Sequence, residues 1–322
     1  MELTKYLLFC LTWSFIRAAP RCKYKSDKKP ELICRSSEEN YILKRGLVSD
    51  NNRTSSVTLR GCRVSGVEYE AFENMPSLKY IDLSQNSISE LKLGVLDDIK
   101  TVTHLNLSYN ALTTFPIGLF DQLPNLSTLD LTSNSLENIE LVVFDTLQKL
   151  KYLNLADNNI STIKGSVFKT LKRLKSIILR GNKLTSLPVE LFQDMKNLAN
   201  IDLSHNSIST INVNSFHGTS VKNLNLADNK LTYLTSNFCL ELRNFAAKLT
   251  KFYFNQNPWQ CACLRDIVDE VKRLGISYNS RPYDGRHPVC VTTEEFHCNR
   301  HDRFNRVYID MYDDLVVNTK NL

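Results

Sequence analysis

LKYIDLSQNSI, residues 78–88, places apolar side chains at its first, fourth, sixth and eleventh positions and an asparagine at its ninth. The same template recurs along the chain, starting at residues 54, 78, 102, 126, 150, 174, 198, 221 and 249. The steps between these starts are 24 residues six times, then 23, then 28. A fixed period in this range indicates a stacked repeat, because each unit is too small to bury its apolar face alone.

Side-chain alternation within the template predicts the architecture. Positions one, four, six and eleven point inward, whereas positions three and five point outward from a short strand. Stacking these strands gives an α/β repeat solenoid, a horseshoe with a parallel β-sheet on its concave face and an irregular or short-helical convex side. Its two ends need caps, because an open solenoid end exposes an apolar cross-section.

Two further columns support this prediction. The ninth position is asparagine in eight of the nine units, namely Asn86, Asn110, Asn134, Asn158, Asn182, Asn206, Asn229 and Asn257. Because a buried amide must find hydrogen-bond partners, we expect an asparagine ladder that joins the backbones of adjacent turns. The nineteenth position is aromatic in six units, namely Phe72, Phe120, Phe144, Phe168, Phe192 and Phe216, which predicts a stacked convex spine.

The segment NPWQCAC, residues 257–263, adds a specific signal. Together with the template and the phenylalanine spine, it makes the chain resemble the extracellular leucine-rich-repeat family, in its 24-residue typical class, over about residues 22–299. Toll-type receptors, Slit-like guidance proteins and secreted immune or adhesion proteins share this pattern. The resemblance implies a cysteine-rich C-terminal cap with the disulfides Cys261–Cys290 and Cys263–Cys298.

The chain divides into five expected segments. Residues 1–18 combine Lys5 with an apolar run and a small-residue end, which is typical of a secretory signal peptide. An N-terminal cap over 19–53 and eight repeats over 54–248 follow. A final degenerate repeat with the C-terminal cap covers 249–299, and a short tail covers 300–322. Because no later stretch reaches the ~18 apolar residues of a membrane span, and no hydrophobic anchor tail follows, we expect secretion into the extracellular space.

The secretory route favours disulfides among the remaining cysteines. At the N-terminal end we pair Cys22 with Cys34. Cys62 and Cys239 lie seven units apart, roughly 30 Å at ~4.8 Å per strand, too far to bond to each other. We therefore predict two buried free thiols that act as small hydrophobes. Two alternatives stay open: an intermolecular bridge through Cys239, or a Cys34–Cys62 pair that leaves Cys22 reduced.

Motifs for chemistry are absent from the sequence. It contains no nucleophile elbow, zinc-protease helix, phosphate loop or dinucleotide fingerprint. Three carboxylates recur at position five and are interpreted as solvated surface groups: Asp82, Asp130 and Asp202. One cluster has the ligand types of a zinc site, but the resemblance assigns its cysteines to disulfides: His287, Cys290, His297, Cys298 and His301. We therefore predict no enzyme activity, no metal and no cofactor.

The outward columns point to a binding surface. The chain carries 40 basic and 34 acidic residues, a formal net charge of +6, and the secretory route argues against a nucleic-acid partner. Among the mostly polar outward residues, Ile178 is expected to be exposed beside Arg180. Because aromatic and arginine side chains are favoured interface anchors, we predict a contact patch. It consists of Tyr152, Ile178, Arg180, Asp202 and His205.

Four sequons permit N-glycosylation, at Asn52, Asn106, Asn125 and Asn159. Asn106 belongs to an outward column, so a glycan there would obstruct the N-terminal half of the concave face. A protein partner would then engage units five to nine or the flank.

The combined prediction is a secreted, non-enzymatic recognition protein. It binds an extracellular protein or glycan through the concave face, with innate immunity as one setting. The alternative is an extracellular-matrix or cell-adhesion and guidance module. The oligomeric state stays open.

Overall fold

A computed structural model describes residues 21–26, 29–35, 40–45, 53–245, 248–280, 287–292 and 296–320. The described residues form two compact units. The first comprises those up to Leu136 together with Val142–Tyr152, and the second comprises Glu137–Leu141 together with those from Leu153 onward. The predicted signal peptide, 1–18, lies outside the described residues.

The first unit is a parallel-sheet solenoid that begins with an antiparallel hairpin. Its strands are β1 (Arg21–Ser26), β2 (Lys29–Arg35), β3 (Tyr41–Leu43), β4 (Ser56–Thr58), β5 (Val64–Val67), β6 (Tyr80–Asp82), β7 (His104–Asn106) and β8 (Thr128–Asp130). Strand β2 pairs in parallel with β4. Strands β4, β6, β7 and β8 then pair in parallel, each with the next. The hairpin therefore covers the open edge of the repeat sheet.

The hairpin is closed by a disulfide. Cys22 and Cys34 lie opposite each other in the β1–β2 register, and their sulfurs are 2.01 Å apart. Cys34 is buried, whereas Cys22 is half-buried. The structure thus holds this bond rather than a Cys34–Cys62 pair.

The second unit has the same pattern of stacked parallel strands. Its strands are β9 (Asn138–Ile139), β11 (Thr162–Ile163), β12 (Ser176–Ile178), β13 (Asn200–Asp202), β14 (Asn223–Asn225) and β15 (Lys251–Tyr253), and β10 (Tyr152–Asn154) contains the boundary between the units. Strands β12 to β15 pair in parallel, each with the next. The second unit also holds three α-helices: α1 (Phe238–Asn244), α2 (Cys261–Arg273) and α3 (Asn305–Lys320). Short 3₁₀ helices span Val213–Phe216 and Asp302–Phe304.

The core follows the template. The inward residues of the repeat that begins at Leu78 are fully buried, and the inward residues of the other repeats are buried as well. In the second unit the rings of Phe168 and Phe192 stack with centroids 6.4 Å apart, and Phe192 and Phe216 stack at 6.0 Å. The template places Cys239 next in this column, but Phe238 makes the ring contact with Phe216, at 6.3 Å. Helix α1 begins at Phe238, so the residue before Cys239 takes this place in the spine.

The asparagines bridge neighbouring turns. Asn206 is 9% exposed, and its Oδ1 accepts a hydrogen bond from the Leu184 amide at 3.0 Å. Its Nδ2 donates to the carbonyl oxygens of Leu179 and Leu203, at 2.9 and 3.0 Å. Asn229 and Asn257 repeat this pattern. Each side chain thereby satisfies backbone groups of two turns at once.

The C-terminal cap closes the second unit. Trp259 is 1% exposed, and its indole Nε1 donates to the Phe254 carbonyl at 2.7 Å. Disulfides join α2 to the following loops at Cys261–Cys290 and Cys263–Cys298, with S–S distances of 2.06 and 2.00 Å. These bonds connect Cys290 and Cys298 to the first turn of α2.

Helix α3 packs back on the cap. Tyr308 and Tyr312 are buried with Val291 in one apolar cluster. On the other side of the helix, Lys230 Nζ lies 2.7 Å from a carboxylate oxygen of Asp313. The tail that the sequence leaves unassigned is therefore an ordered helix attached to the last repeats.

Candidate recognition surface

The outward side chains of β12–β15 form one surface, which we call the strand face. The central residue of each strand is buried, because it lies in the inward column: Ile177, Ile201, Leu224 and Phe252. The two flanking residues of each strand point outward: Ser176, Ile178, Asn200, Asp202, Asn223, Asn225, Lys251 and Tyr253. Strand register places Ile178, Asp202, Asn225 and Tyr253 in one row.

Polar residues of this row have a structural task. Asp202 Oδ1 accepts hydrogen bonds from the Ser204 amide at 3.0 Å and from the Ser204 hydroxyl at 2.6 Å. Asn225 Oδ1 accepts from the Ala227 amide at 3.1 Å. Side chains of this kind commonly bond to a backbone group two residues on, and here they fix the turn that ends each strand.

The same bond corrects the solvated-surface interpretation of the aspartate column. Asp82 is only 7% exposed, and its Oδ1 accepts from the Ser84 amide at 2.9 Å. Asp130 Oδ1 accepts from the amide and the hydroxyl of Thr132. All three carboxylates therefore complete backbone hydrogen bonding; Asp82 is buried, whereas Asp130 and Asp202 are half-buried.

A shallow groove of about 240 Å³ runs along the strand face. Ile178 and Tyr253 form its apolar ends, and the register separates them by three strand spacings, roughly 14 Å. Between them Asn223 Nδ2 donates to Asn200 Oδ1 at 2.5 Å. The groove is smaller than the roughly 300–1,000 Å³ of typical small-molecule sites, so its size suits one large side chain.

Two of the five predicted contact residues line the groove, and the other three do not. Ile178 and Asp202 line it, and both are half-buried, so Ile178 is less exposed than the sequence predicts. Arg180 and His205 are exposed but lie outside the lining. Tyr152 is 48% exposed and belongs to the first unit.

His205 lies in a turn that the template imposes. The eighth position of every repeat has a positive φ, between 53° and 68°: Gly61, Gln85, Tyr109, Ser133, Asp157, Gly181, His205, Asp228 and Gln256. The Nδ1 atom of His205 lies 2.5 Å from an Asp228 carboxylate oxygen. This contact joins the turns after β13 and β14 at the edge of the strand face.

A larger cleft of about 420 Å³ lies in the C-terminal cap beside α2. Arg300 bonds to the Asp266 carboxylate at 2.5 Å and to the Leu234 carbonyl at 3.1 Å. The buried Glu270 accepts a hydrogen bond from the Leu240 amide at 3.0 Å. These charged groups hold the cap on the last repeat, so the strand face is the better candidate for binding.

The repeats match a known family over more than half of the chain. The leucine-rich-repeat model aligns in four overlapping segments, at residues 52–112, 91–136, 124–184 and 172–231. The chain belongs to the leucine-rich-repeat family. No curated protein is significantly similar to it in sequence.

Solved leucine-rich-repeat structures share the fold. One is from the Toll–Spatzle complex, a molecular hub in Drosophila development and innate immunity, with 22% identity and a TM-score of 0.58. That alignment covers 73% of this chain and 34% of the other chain. A Leptospira interrogans leucine-rich-repeat protein has 24% identity and a TM-score of 0.54, covering 71% of this chain and 62% of the other. This leucine-rich-repeat chain thus spans about a third and three fifths of those two chains.

Among the described residues, two cysteines lie outside the disulfides, Cys62 and Cys239, and both are buried inside the repeats. Cys62 occupies the first ladder position, and its Sγ donates to the Cys34 carbonyl at 3.2 Å, as the ladder asparagines donate to carbonyls elsewhere. Burial, with a smaller effect from the Asp82 carboxylate, raises the pKa of Cys62 to about 11. Burial, together with the nearby Glu270 carboxylate, raises the pKa of the Cys239 thiol even further. Both sulfurs behave as protonated core groups at neutral pH.

The sequons lie in different settings. Asn106 is half-buried on β7, and its Oδ1 accepts from the Ser108 amide at 2.9 Å. Asn125 Nδ2 donates to the Lys100 carbonyl at 3.0 Å, and Asn159 is half-buried. Asn52 lies outside the described residues.

Among the described residues, no group of three or more histidine, cysteine, aspartate or glutamate side chains is arranged to hold a metal ion. Cys290 and Cys298 of the zinc-like cluster are both in disulfides. Within the same ranges, no helix has both the length and the apolar character to cross a membrane.

Proposed function

We propose that this leucine-rich-repeat protein is an extracellular, non-catalytic recognition protein whose strand face in the second unit binds a protein partner. The groove between Ile178 and Tyr253 carries this proposal, because it offers two apolar ends with amide groups between them on a preformed sheet. A preformed surface binds without the entropic cost of ordering loops. Amide side chains add hydrogen bonds that orient the partner.

A protein partner suits this surface better than a glycan. The groove has the size of one large side chain, and interface energy commonly concentrates where such an anchor enters a pocket. The Toll–Spatzle structure is likewise that of a leucine-rich-repeat chain in a complex with a protein. Innate immunity is the setting that we propose for this chain as well.

An extracellular location has two supports. Residues 1–18 have the pattern of a secretory signal peptide. Three disulfides stabilise the two ends of the described chain, and such bonds persist mainly in oxidising compartments.

The absence of catalysis is supported by the state of the outward carboxylates. Asp82, Asp130 and Asp202 each accept hydrogen bonds from a residue two positions on. General acid–base work needs a carboxylate within reach of a substrate proton. These groups are instead committed to the turns that end the strands.

The contact surface is tested by substitution at the groove. The secreted full-length chain, with Ile178→Asp or Tyr253→Asp, is used to capture proteins from extracellular fluid of its source tissue. A matched control is Val317→Asp, since Val317 is 57% exposed on α3 and away from the groove lining. We expect both groove variants to lose a partner that the wild type and the control retain. Equal capture by all four chains would overturn the proposal.

The remaining contacts are tested in the same assay. Arg180→Ala, His205→Ala and Tyr152→Ala examine the predicted patch outside the groove. We expect smaller losses than for Ile178→Asp, because rim residues contribute less than groove anchors.

Processing is tested by non-reducing mass spectrometry of the secreted chain. We expect an N-terminus near residue 19 and the three observed disulfides. The same spectra report glycan occupancy at Asn52, Asn106, Asn125 and Asn159. A chain retained inside the cell with residues 1–18 attached would contradict the extracellular part.

A further inference from the structure

The strand face of the second unit carries a row of lysines along one edge of the groove. Lys222 donates its amide to the Ala199 carbonyl, and Ala199 donates to the Lys175 carbonyl, at 2.8 and 2.9 Å. The Lys251 amide donates to the Lys222 carbonyl at 3.0 Å. These backbone bonds place Lys175 and Lys222 at equivalent positions of their turns. Lys251 lies one residue further along the last strand, in register with Asn223.

The lysine row is exposed and uncompensated. All three side chains are exposed, and among the described residues none of them forms an ion pair. Neighbouring strands are ~4.8 Å apart, so Lys175 and Lys222 begin about 10 Å apart; Lys251 is one residue further along its strand and begins about 6 Å from Lys222. Like charges held this close create a positive potential that favours an anionic group.

Lysine is more frequent at this edge in the later repeats. The second template position is occupied by Ser55, Lys79, Thr103 and Ser127 in the first four repeats, and by Lys151, Lys175, Ala199, Lys222 and Thr250 in the last five. The basic edge therefore accompanies the groove and is no general property of the template.

Carboxylates lie on the opposite edge. Asp228 is paired with His205, and Asp202 Oδ1 is occupied by Ser204. Asp157 lies in the turn after β10, and the exposed Arg180 lies after β12 on the same edge. The groove thus separates an edge whose charged side chains are lysines from an edge with both charges, and apolar Ile178 and Tyr253 lie at its ends.

We infer that the groove receives an acidic peptide segment, one large apolar side chain of which enters between Ile178 and Tyr253 while its carboxylates lie along Lys175, Lys222 and Lys251. This inference rests on the proposed protein-binding function and names the chemistry of the partner. The apolar ends favour a peptide over a sulfated or acidic glycan, which would use the lysines without filling the groove. Charge complementarity of this kind selects partners and accelerates their association.

The probes are labelled heptapeptide pools whose central residue is phenylalanine. One pool has aspartate and glutamate around it, one has lysine and arginine, and a third keeps the acidic flanks but has serine at the centre. Fluorescence anisotropy is measured with the secreted full-length chain at about 0.15 M salt. We expect the acidic phenylalanine pool to bind about tenfold or more tightly than either other pool.

Two charge-reversed chains make the test specific. The first variant combines Lys175→Glu, Lys222→Glu and Lys251→Glu and so reverses the charge of the lysine row. We expect it to bind the acidic phenylalanine pool about tenfold or more weakly than the wild type does. The matched control reverses three exposed lysines of the same unit that occupy other positions of the repeat, namely Lys169, Lys172 and Lys196. Circular dichroism verifies that both triple variants are folded.

The outcomes separate the inference from the proposed function. Equal binding of acidic and basic pools, or equal loss in both triple variants, would overturn the acidic-peptide inference. Binding of a heparin oligosaccharide that depends on the three lysines, without binding of the phenylalanine pool, would overturn it in favour of an acidic glycan. If the protein partner is still lost with Ile178→Asp, the proposed function stands although the inference has failed.

Discussion

Removal of one ladder asparagine tests how the repeats cohere. Asn182 is 8% exposed, and its Oδ1 accepts from the Ile160 amide at 3.0 Å. Its Nδ2 donates to the carbonyls of Leu155 and Leu179, at 2.9 and 3.0 Å. All of these groups belong to the second unit. Asn182→Ala therefore removes these three hydrogen bonds and a fourth, longer one from Nδ2 to the Arg180 carbonyl, at 3.3 Å.

The expected cost follows from what each partner retains. The Leu155 carbonyl keeps a bond from Asn158, and the Leu179 carbonyl keeps one from Asn206. The Ile160 amide loses the one side-chain acceptor that the ladder gives it. An orphaned buried donor costs about 1–3 kcal/mol, and each lost second bond to a carbonyl costs about 0.5 kcal/mol, so we expect a loss of roughly 3 kcal/mol.

Urea unfolding of the full-length chain measures this loss, because the fluorescence of buried Trp259 reports on the second unit. Hydrogen exchange at the Ile160 amide supplies a local readout. The matched control is Asn197→Ala: Asn197 is exposed and makes a single bond, to the Lys172 carbonyl at 2.8 Å. We expect the control to cost less than about 0.5 kcal/mol. Equal stability of the two variants, with Ile160 still protected, would refute the reasoning.

Three further predictions concern strain, pH and the tail. Gly181→Ala should cost about 2 kcal/mol by thermal unfolding, against about 1 kcal/mol for Gly275→Ala. Both have positive φ, but a Cβ at Gly181 would meet Asp157 Oδ1 at 2.1 Å, whereas nothing lies within 4 Å at Gly275; equal costs would argue against the contact. Because the pKa of Cys62 rises from near 9 to about 11, its stabilising effect is complete below pH 9 and is lost as the pH rises towards 11, so Cys62→Val should show a flatter stability profile across that window. Tyr312→Ala should cost about 3 kcal/mol and remove exchange protection in α3 while the repeats stay protected; an unchanged α3 would contradict its docking through this ring.

The repeat architecture is readable in the sequence because stacking involves nearest neighbours. The inward residues of LKYIDLSQNSI recur every 24 residues, so each contacts its equivalent in the next turn. Asn206 illustrates this: its partners Leu179 and Leu184 belong to the preceding turn. Period and side-chain type are therefore sufficient to predict the buried columns and the ladder.

The candidate site is less predictable, since its properties depend on local side-chain bonding. Position five reads as a row of solvent-facing groups, yet Asp202 turns back to bond with Ser204. The Ile178 side chain cannot make that hydrogen bond, so it lines the groove as an apolar residue. Tyr253, which shares its row, is assigned to the final degenerate repeat and stands out in the structure because the register aligns it with Ile178.

The sequence by itself determined the solenoid, its inward columns and the chemistry available on its outward face, because a short period encodes contacts between adjacent turns. Tertiary structure decided which outward residues share a groove, why Phe238 continues the ring column and how α3 is held against the cap. In α3 the decisive contacts join Tyr308 and Tyr312 to Val291. They connect segments that follow no common period, so packing in three dimensions selects them and a repeat template does not.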